Sequence, residues 1–359
     1  MIELDGSFGE GGGQMLRTAL GLSLLSGKAF SMHSIRKGRA DAGLKNQHLA
    51  GIRLCKELSD SVVEGDDLAS DKVVFYPRRI KPRTLSIDIG TAGSITLLLQ
   101  TVMPALVFGP GKVRLKLSGG TDVPFSPTVD YMRNVLFPFL LKYAGIDFQV
   151  SRRGFYPAGA GKVEIILKPK FIYDEQMSFE SYCSFVGESA KKFSLTQRPK
   201  ITAIRGISFA SKELESSEVA QRQAISAKKI LVSLECPIKI ESFYGDTSSI
   251  GSTITLWANF GEADGEQSTV LGGNALGERN IRAEIVGKNA AESLLSEIKN
   301  GGCVDLHMAD QLAPFIAICG GSVQLGIITP HLRSNCYVLE KFLGEKLKID
   351  EEKKVLFTP

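Results

Sequence analysis

One arrangement of residues occurs three times in this chain: a Gly-rich or polar turn, an apolar helix, a glycine, then an alternating strand. The copies are GEGGGQMLRTALGLSLLSG before KAFSMHSI, GTAGSITLLLQTVMPALVFGPG before KVRLKLSGG, and HMADQLAPFIAICGG before SVQLGII. No single copy can bury both its helix face and its strand face. The repetition therefore predicts an internally repeated α/β fold in which neighbouring units share one core. Second helices are expected at 44–58, 128–143 and 290–299.

The third copy does not follow the second directly. From about 177 to 276 the composition shifts toward Ser, Glu and Lys. A polar-faced helix, SSEVAQRQAISAKKILVSL, lies between strands expected near 200–209, 238–242 and 253–259, and GEADGEQSTVLGGNALGE reads as a Gly-rich tether. The expected organisation is a large domain of 1–176 plus 277–359, interrupted by a smaller inserted α/β domain of 177–276. With 43% hydrophobic and 23% charged residues among 359, a core of that size is available.

Other classes are disfavoured. Six scattered cysteines without a CxxC pair argue against a disulfide framework and a structural zinc site, and fit a reducing cytosol. No signal peptide is readable at MIELDGSFGEGGGQ. The apolar run 95–108, broken by Gln100 and Pro104, is too short to span a bilayer. A net charge of +4 neither demands nor excludes nucleic acid.

Several short strings carry chemistry. GEGGGQMLR departs from GxGxxG at Gln14, so a dinucleotide loop is a poor fit. It still offers backbone N–H groups at a helix start for an anion, and Glu10 as a carboxylate able to hold a divalent metal. Gln14 and Arg17, three apart, share a helix face. IRKGRADAGLKNQHL clusters Arg36, Lys37, Arg39 and Lys45, and arginine forks suit phosphate oxygens. YPRRIKPR is similarly basic and reads as a solvated face. RRGFYPAGAGKV fails as a P-loop because Val163 follows Lys162 and a strand continues; Arg152 and Arg153 remain candidates for ligand contact. In HMADQL, Asp310 taken alone reads as a helix cap. In TPHLRSN, His331 is expected between a strand at 322–328 and a helix at 336–343, as a cap, a packed residue or a chemical group.

Together these strings, with SGGTDVPFSPTVDY and IGTAGSITLLLQTVMPAL, resemble the RNA 3′-terminal phosphate cyclases from the first residues to the last helix. That resemblance implies an α/β (α+β) fold whose large domain holds three βαβαββ-type units, plus the small inserted domain. It implies an ATP-dependent, metal-dependent ligase that converts an RNA 3′-phosphate to a 2′,3′-cyclic phosphate, releasing AMP and pyrophosphate through a covalent histidine–AMP. The motif places that nucleophile at His331 and the metal (Mg or Mn) at Glu10. Arg17, Arg39, Gln47 and Gln100 then surround the nucleotide phosphates, with Gln14, Arg36 and His48 close by. Pro127 and His307 sandwich adenine, and Asp310 and Gln311 lie near the nucleoside. The chain departs from the family at Ala42, where proline is frequent, and at His307, where tyrosine is common.

Two other readings compete. A non-enzymatic RNA-binding relative serving ribosome assembly would lack the nucleophile and phosphate ligands, yet His331, Glu10, Arg17 and Arg39 are all present. An enolpyruvyl transferase of related architecture would give no role to a histidine at a helix start. The expected partners are ATP and RNA with a 3′-phosphate end, with no membrane.

Overall fold

The structure is a computed structural model that describes residues 1–39, 41–174, 176–262, 265 and 268–359. The first unit runs β1 (Ile2–Asp5), α1 (Gly13–Ser26), β2 (Phe30–His33), α2 (Asn46–Ser59), β3 (Val62–Glu64) and β4 (Val73–Tyr76). The second runs β5 (Thr84–Asp88), α3 (Ile95–Val107), β6 (Val113–Gly119), α4 (Val129–Tyr131), a π-helical turn (Met132–Leu136), α5 (Phe137–Leu140), β7 (Ala144–Arg152) and β8 (Gly161–Pro169). After α6 (Phe179–Ser189), the third unit opens with β9 (Phe193–Leu195).

The chain then leaves the repeat. It forms β10 (Ile201–Ser211), α7 (Val219–Leu231), β11 (Ile238–Gly245), β12 (Ser252–Phe260), β13 (Thr269–Leu276) and α8 (Ala283–Lys299). It returns through α9 (Leu306–Cys319), β14 (Gly321–Gln324), α10 (Pro330–Leu343), β15 (Lys348–Asp350) and β16 (Val355–Phe357).

The three units have the same sheet. Each is four-stranded, ordered β1-β2-β4-β3, β5-β6-β8-β7 and β9-β14-β16-β15. In each, the first strand runs parallel to the second and the remaining pairs are antiparallel. The parallel pair is forced by the helix that crosses between its strands. Three βαβαββ units are thus present, the third split by an insertion after its first strand.

The limits of that insertion differ from the expected 177–276. Phe193–Leu195 hydrogen-bonds to β14, so the third unit has already begun before β10. At the other end, Val286, Ala290, Ala291 and Leu294 of α8 pack with Ile204, Leu231, Ile254 and Leu256 in a separate core. The helix at 290–299 therefore belongs to the insert, and α10 is the second helix of the third unit. An apolar stripe reports that a helix is buried, not which sheet it covers. The second half of the GEADGEQSTVLGGNALGE stretch is strand β13, Thr269–Leu276, rather than a tether; four of its residues, 263, 264, 266 and 267, lie outside the described residues.

The large core joins all three units. Within it α1 packs against α2, α3 and α10, and α9 against α10. Close approach has a specific cause at Gly21, where a Cβ would lie 2.5 Å from the Thr101 carbonyl oxygen. Among the described residues no helix is long and apolar enough to cross a membrane.

Candidate active site

Three equivalent helices, α1, α3 and α9, bring equivalent positions to one place. Arg17 and Asp310 are each the fifth residue of their helix, and Gln100 and Gln311 each the sixth. Gln100 Nε2 donates to Gln311 Oε1 at 2.8 Å, so the two helices touch through matching side chains. Gln14, Arg17, Gln100, Asp310, Gln311 and Asn335 line a single cleft with Thr18, Met103, Pro104, Leu136, Pro314 and Phe315. The two prolines lack N–H groups, which releases the carbonyls of Gln100 and Asp310 four residues earlier from helix bonding. Asn335 Nδ2 lies 3.4 Å from both the freed Asp310 carbonyl oxygen and its Oδ2, and Thr18 Oγ1 donates to Asn335 Oδ1 at 2.9 Å.

His331 stands at the mouth of this cleft. The helix begins earlier than 336: Pro330 occupies its first turn and the Thr329 side chain accepts from Leu332 N at 3.1 Å. His331 is therefore inside the first turn of α10, where free N–H groups and the helix dipole favour an anion. Its Nε2 lies 2.6 Å from Glu10 Oε2, and its Nδ1 faces Asp310 Oδ2 at 3.9 Å. Arg39 Nη2 reaches the same Glu10 oxygen at 3.5 Å.

The glycine run explains how Glu10 gets there. Gly9 and Gly11 have φ of +61° and +56°, left-handed values that glycine adopts without a Cβ penalty. At Gly9 a Cβ would sit 2.6 Å from Ser334 Oγ, so the turn lies directly on α10. Beneath the turn His48 is buried, its Nδ1 accepting from Lys45 N at 3.0 Å. Burial, reinforced by Arg17, Arg36 and Lys45, holds its imidazole neutral with a pKa of about 3. Gln47 Nε2 donates to the Ser94 carbonyl at 3.0 Å, tying this loop to the start of α3. Arg36 adopts a left-handed φ of +58°, and its guanidinium pKa is lowered by burial and by Arg39.

Asp310 is not the cap of α9. That role belongs to Asp305, whose side chain accepts from His307 N and Met308 N, from Gly272 N of the insert, and from the Tyr131 hydroxyl at 2.5 Å. Tyr131 in turn stands edge-on to His307, with ring centroids 6.5 Å apart. Its helix follows Pro127, whose carbonyl accepts from Thr96 Oγ1 at 2.7 Å. Burial and the Asp305 carboxylate push the Tyr131 hydroxyl well above its ordinary range, so it stays a donor. Burial also lowers the His307 imidazole, against the pull of Asp305.

Arg17 and Asp310 form the charged floor. Burial pushes the Asp310 carboxyl up to about 7, only partly offset by Arg17, while burial lowers the Arg17 guanidinium to about 10. An acid raised in the folded state destabilises it: the penalty is absent below the unfolded pKa and complete above about pH 7. Asp310→Asn, isosteric with the protonated acid, is expected to stabilise the fold by on the order of 2–4 kcal/mol at pH 8 and by nothing at pH 4. Thermal unfolding across that range tests this; a Tm loss at pH 8 would show instead that the ionised carboxylate stabilises the site.

Sequence reasoning missed three groups. Asn335 lies four residues after His331 on one helix face, a spacing visible in TPHLRSN. Asp305 and Tyr131 are distant in sequence and meet only through the fold. Arg153, a candidate for ligand contact, is buried instead between Asp122 and Asp130, at 3.2 and 2.6 Å.

An imidazole in a helix first turn, flanked by a carboxylate and arginines on a threefold βαβαββ scaffold, is an arrangement suited to an anionic ligand. The family model described as RNA 3'-terminal phosphate cyclase matches residues 8–349. The RNA 3'-terminal phosphate cyclase of Pyrococcus abyssi is 41% identical over 354 residues, covering 98% of this chain and 96% of the relative. Those of Saccharolobus solfataricus and Methanococcoides burtonii are 41% and 38% identical, each covering 99% of this chain and 98% of the relative. The chain belongs to the RNA 3′-terminal phosphate cyclase family.

Proposed function

We propose that this protein converts an RNA 3′-terminal phosphate to a 2′,3′-cyclic phosphate at the expense of ATP, through an AMP bound to His331. The observation that carries the reading is the seat of His331: in a helix first turn, between the Glu10 and Asp310 carboxylates, at the mouth of a cleft floored by Arg17. Such a position suits a nucleophile that must meet an anionic phosphorus and then hold it.

One further feature of the cleft favours a polar ligand group. Gln14 is 6% exposed, and among the described residues its Nε2 has no hydrogen-bond partner. A buried donor without an acceptor is costly unless a ligand supplies one. Glu10 is a single carboxylate, and among the described residues no group of three His, Cys, Asp or Glu converges on a point. That matches a magnesium-type ion held by one carboxylate and substrate phosphates rather than by a protein cage. When bound there, the ion would neutralise charge on the phosphates.

The chemistry is then as follows. In the structure His331 Nε2 contacts Glu10 Oε2 at 2.6 Å. Once that contact opens and the ring proton sits on Nδ1, facing Asp310, the Nε2 lone pair attacks the α-phosphorus of ATP, and the bond to pyrophosphate breaks. An oxygen of the RNA 3′-phosphate next attacks the same phosphorus and breaks the P–N bond, giving an RNA–pyrophosphate–adenosine end. The neighbouring 2′-hydroxyl loses its proton, attacks the 3′-phosphorus and expels AMP. In-line transfers of this kind need positioning and charge neutralisation more than proton transfer. Arg17, Arg39, Gln100 and the start of α10 supply both, and Pro127 and His307 hold the adenine. The test is incubation with α-labelled ATP and Mg or Mn, followed by a chase with 3′-phosphorylated RNA. Label should enter the protein and leave on the chase. Absence of label under both metals would favour a non-enzymatic RNA-binding relative.

A further inference from the structure

Phe125 is the most exposed large apolar side chain among the described residues, at 103%, and its backbone has a φ of +61°. Both features are unfavourable for phenylalanine: a bulky residue in the left-handed region is a steric outlier, and the ring gains nothing from the core. The loop is not loose around it. Asp122 is fixed by Arg153 at 3.2 Å, Ser126 Oγ donates to the Val123 carbonyl at 2.9 Å, and Thr128 Oγ1 pairs with Thr255 Oγ1 of the insert at 2.7 Å. Phe125 is thus held outward at the tip of a loop pinned on both sides. A strained conformation kept by its surroundings points to use by a ligand.

The position says which ligand. Two residues on, the Pro127 carbonyl accepts from Thr96 Oγ1 at 2.7 Å near the start of α3, the helix that carries Gln100 into the cleft. A second exposed aromatic, Tyr156, is 70% exposed on the adjoining loop. Gly154 of that loop accepts from Thr121 N at 2.9 Å and Asp122 N at 3.3 Å. At its base Arg152 and Lys162 face one another across the β7–β8 ladder, two cations suited to backbone phosphates.

We propose that Phe125 is a stacking platform for a base close to the 3′ end of the RNA, gripping the strand without reading its sequence. This rests on the RNA reading of the substrate. Every base has a π face, so aromatic stacking supports binding of many sequences.

The test is binding of a fluorescent 3′-phosphorylated RNA decamer by anisotropy, without ATP. Phe125→Gly should weaken binding roughly tenfold, the weight of one stacked base, while its Tm stays equal or rises because glycine relieves the left-handed strain. Phe125→Trp should restore affinity. Replacing each of the last three nucleotides in turn by an abasic one should weaken the wild type at one position and leave Phe125→Gly indifferent there. Equal binding by both proteins, or equal sensitivity to the abasic site, would overturn the proposal; so would a Tm fall in Phe125→Gly. Uptake of label from ATP by the wild type is read in parallel. Its absence would remove the histidine–AMP reading, while the abasic comparison still decides the role of Phe125.

Discussion

His331→Ala is expected to take up no acid-labile label from α-labelled ATP, and to cyclise 3′-phosphorylated RNA slower than wild type by a factor on the order of 10⁴ or more. Removing a covalent nucleophile abolishes both half-reactions together, because the second consumes the product of the first. The loss should not come from unfolding. The imidazole is 46% exposed, Thr329 still caps α10, and alanine is favourable within a helix. A Tm within a degree or two of wild type is expected alongside the lost activity. Label persisting in this variant would identify another acceptor and remove His331 from the mechanism.

The largest stability effect is expected at Arg153→Met. The Arg153 side chain is 11% exposed and holds Asp122 and Asp130, which are 0% and 1% exposed. It also lies over the Phe209 ring of the insert at 4.8 Å. Without the guanidinium two buried carboxylates face each other uncompensated, which costs about 3–5 kcal/mol. Burial already pushes the Asp122 carboxyl up, and Arg153 is what opposes this. In the variant Asp122 can escape the repulsion only by binding a proton, so the loss should be larger at pH 8 than at pH 5.5. Urea unfolding at both pH values measures it. Adding Asp122→Asn and Asp130→Asn to Arg153→Met should recover part of the loss, because neutral amides leave no buried charge. A pH-independent loss below 1 kcal/mol would show that the cluster is solvated and contributes little.

Much of the site was legible before the fold was known, for local reasons. GEGGGQ announces a glycine-rich turn at a helix start, and the structure gives Gly9 and Gly11 left-handed φ values there. Gln14 and Arg17 share a helix face by spacing alone and do line one cleft. The arginine loop could be read as suited to phosphate, whereas TPHLRSN by itself left His331 a cap, a packed residue or a chemical group, and only the family resemblance set the two around one nucleotide. The repeat was visible in the recurrence of helix, glycine and strand, and three identical sheet orders bear it out. What misled were features whose meaning depends on partners. The helix at 290–299 has the same apolar stripe whether it covers the third sheet or the insert. Asp310 and Asp305 both sit near the start of α9, and only the hydrogen bonds show that Asp305 is the cap. Arg153 had the look of a ligand contact until Asp122 and Asp130 closed around it.

The sequence by itself determined the period, the turns and the helix faces, because these are written in residue spacing within a few turns of chain, and its motif strings carried the family resemblance. Only the tertiary structure decided that Glu10, Arg17, Asp310 and His331 meet, that Gln14 has a buried donor without a partner, and that Phe125 faces outward from a pinned loop. The physical reason is that charge pairing, burial and exposure are properties of distance between segments. Segments hundreds of residues apart acquire those distances only when three units close around one core.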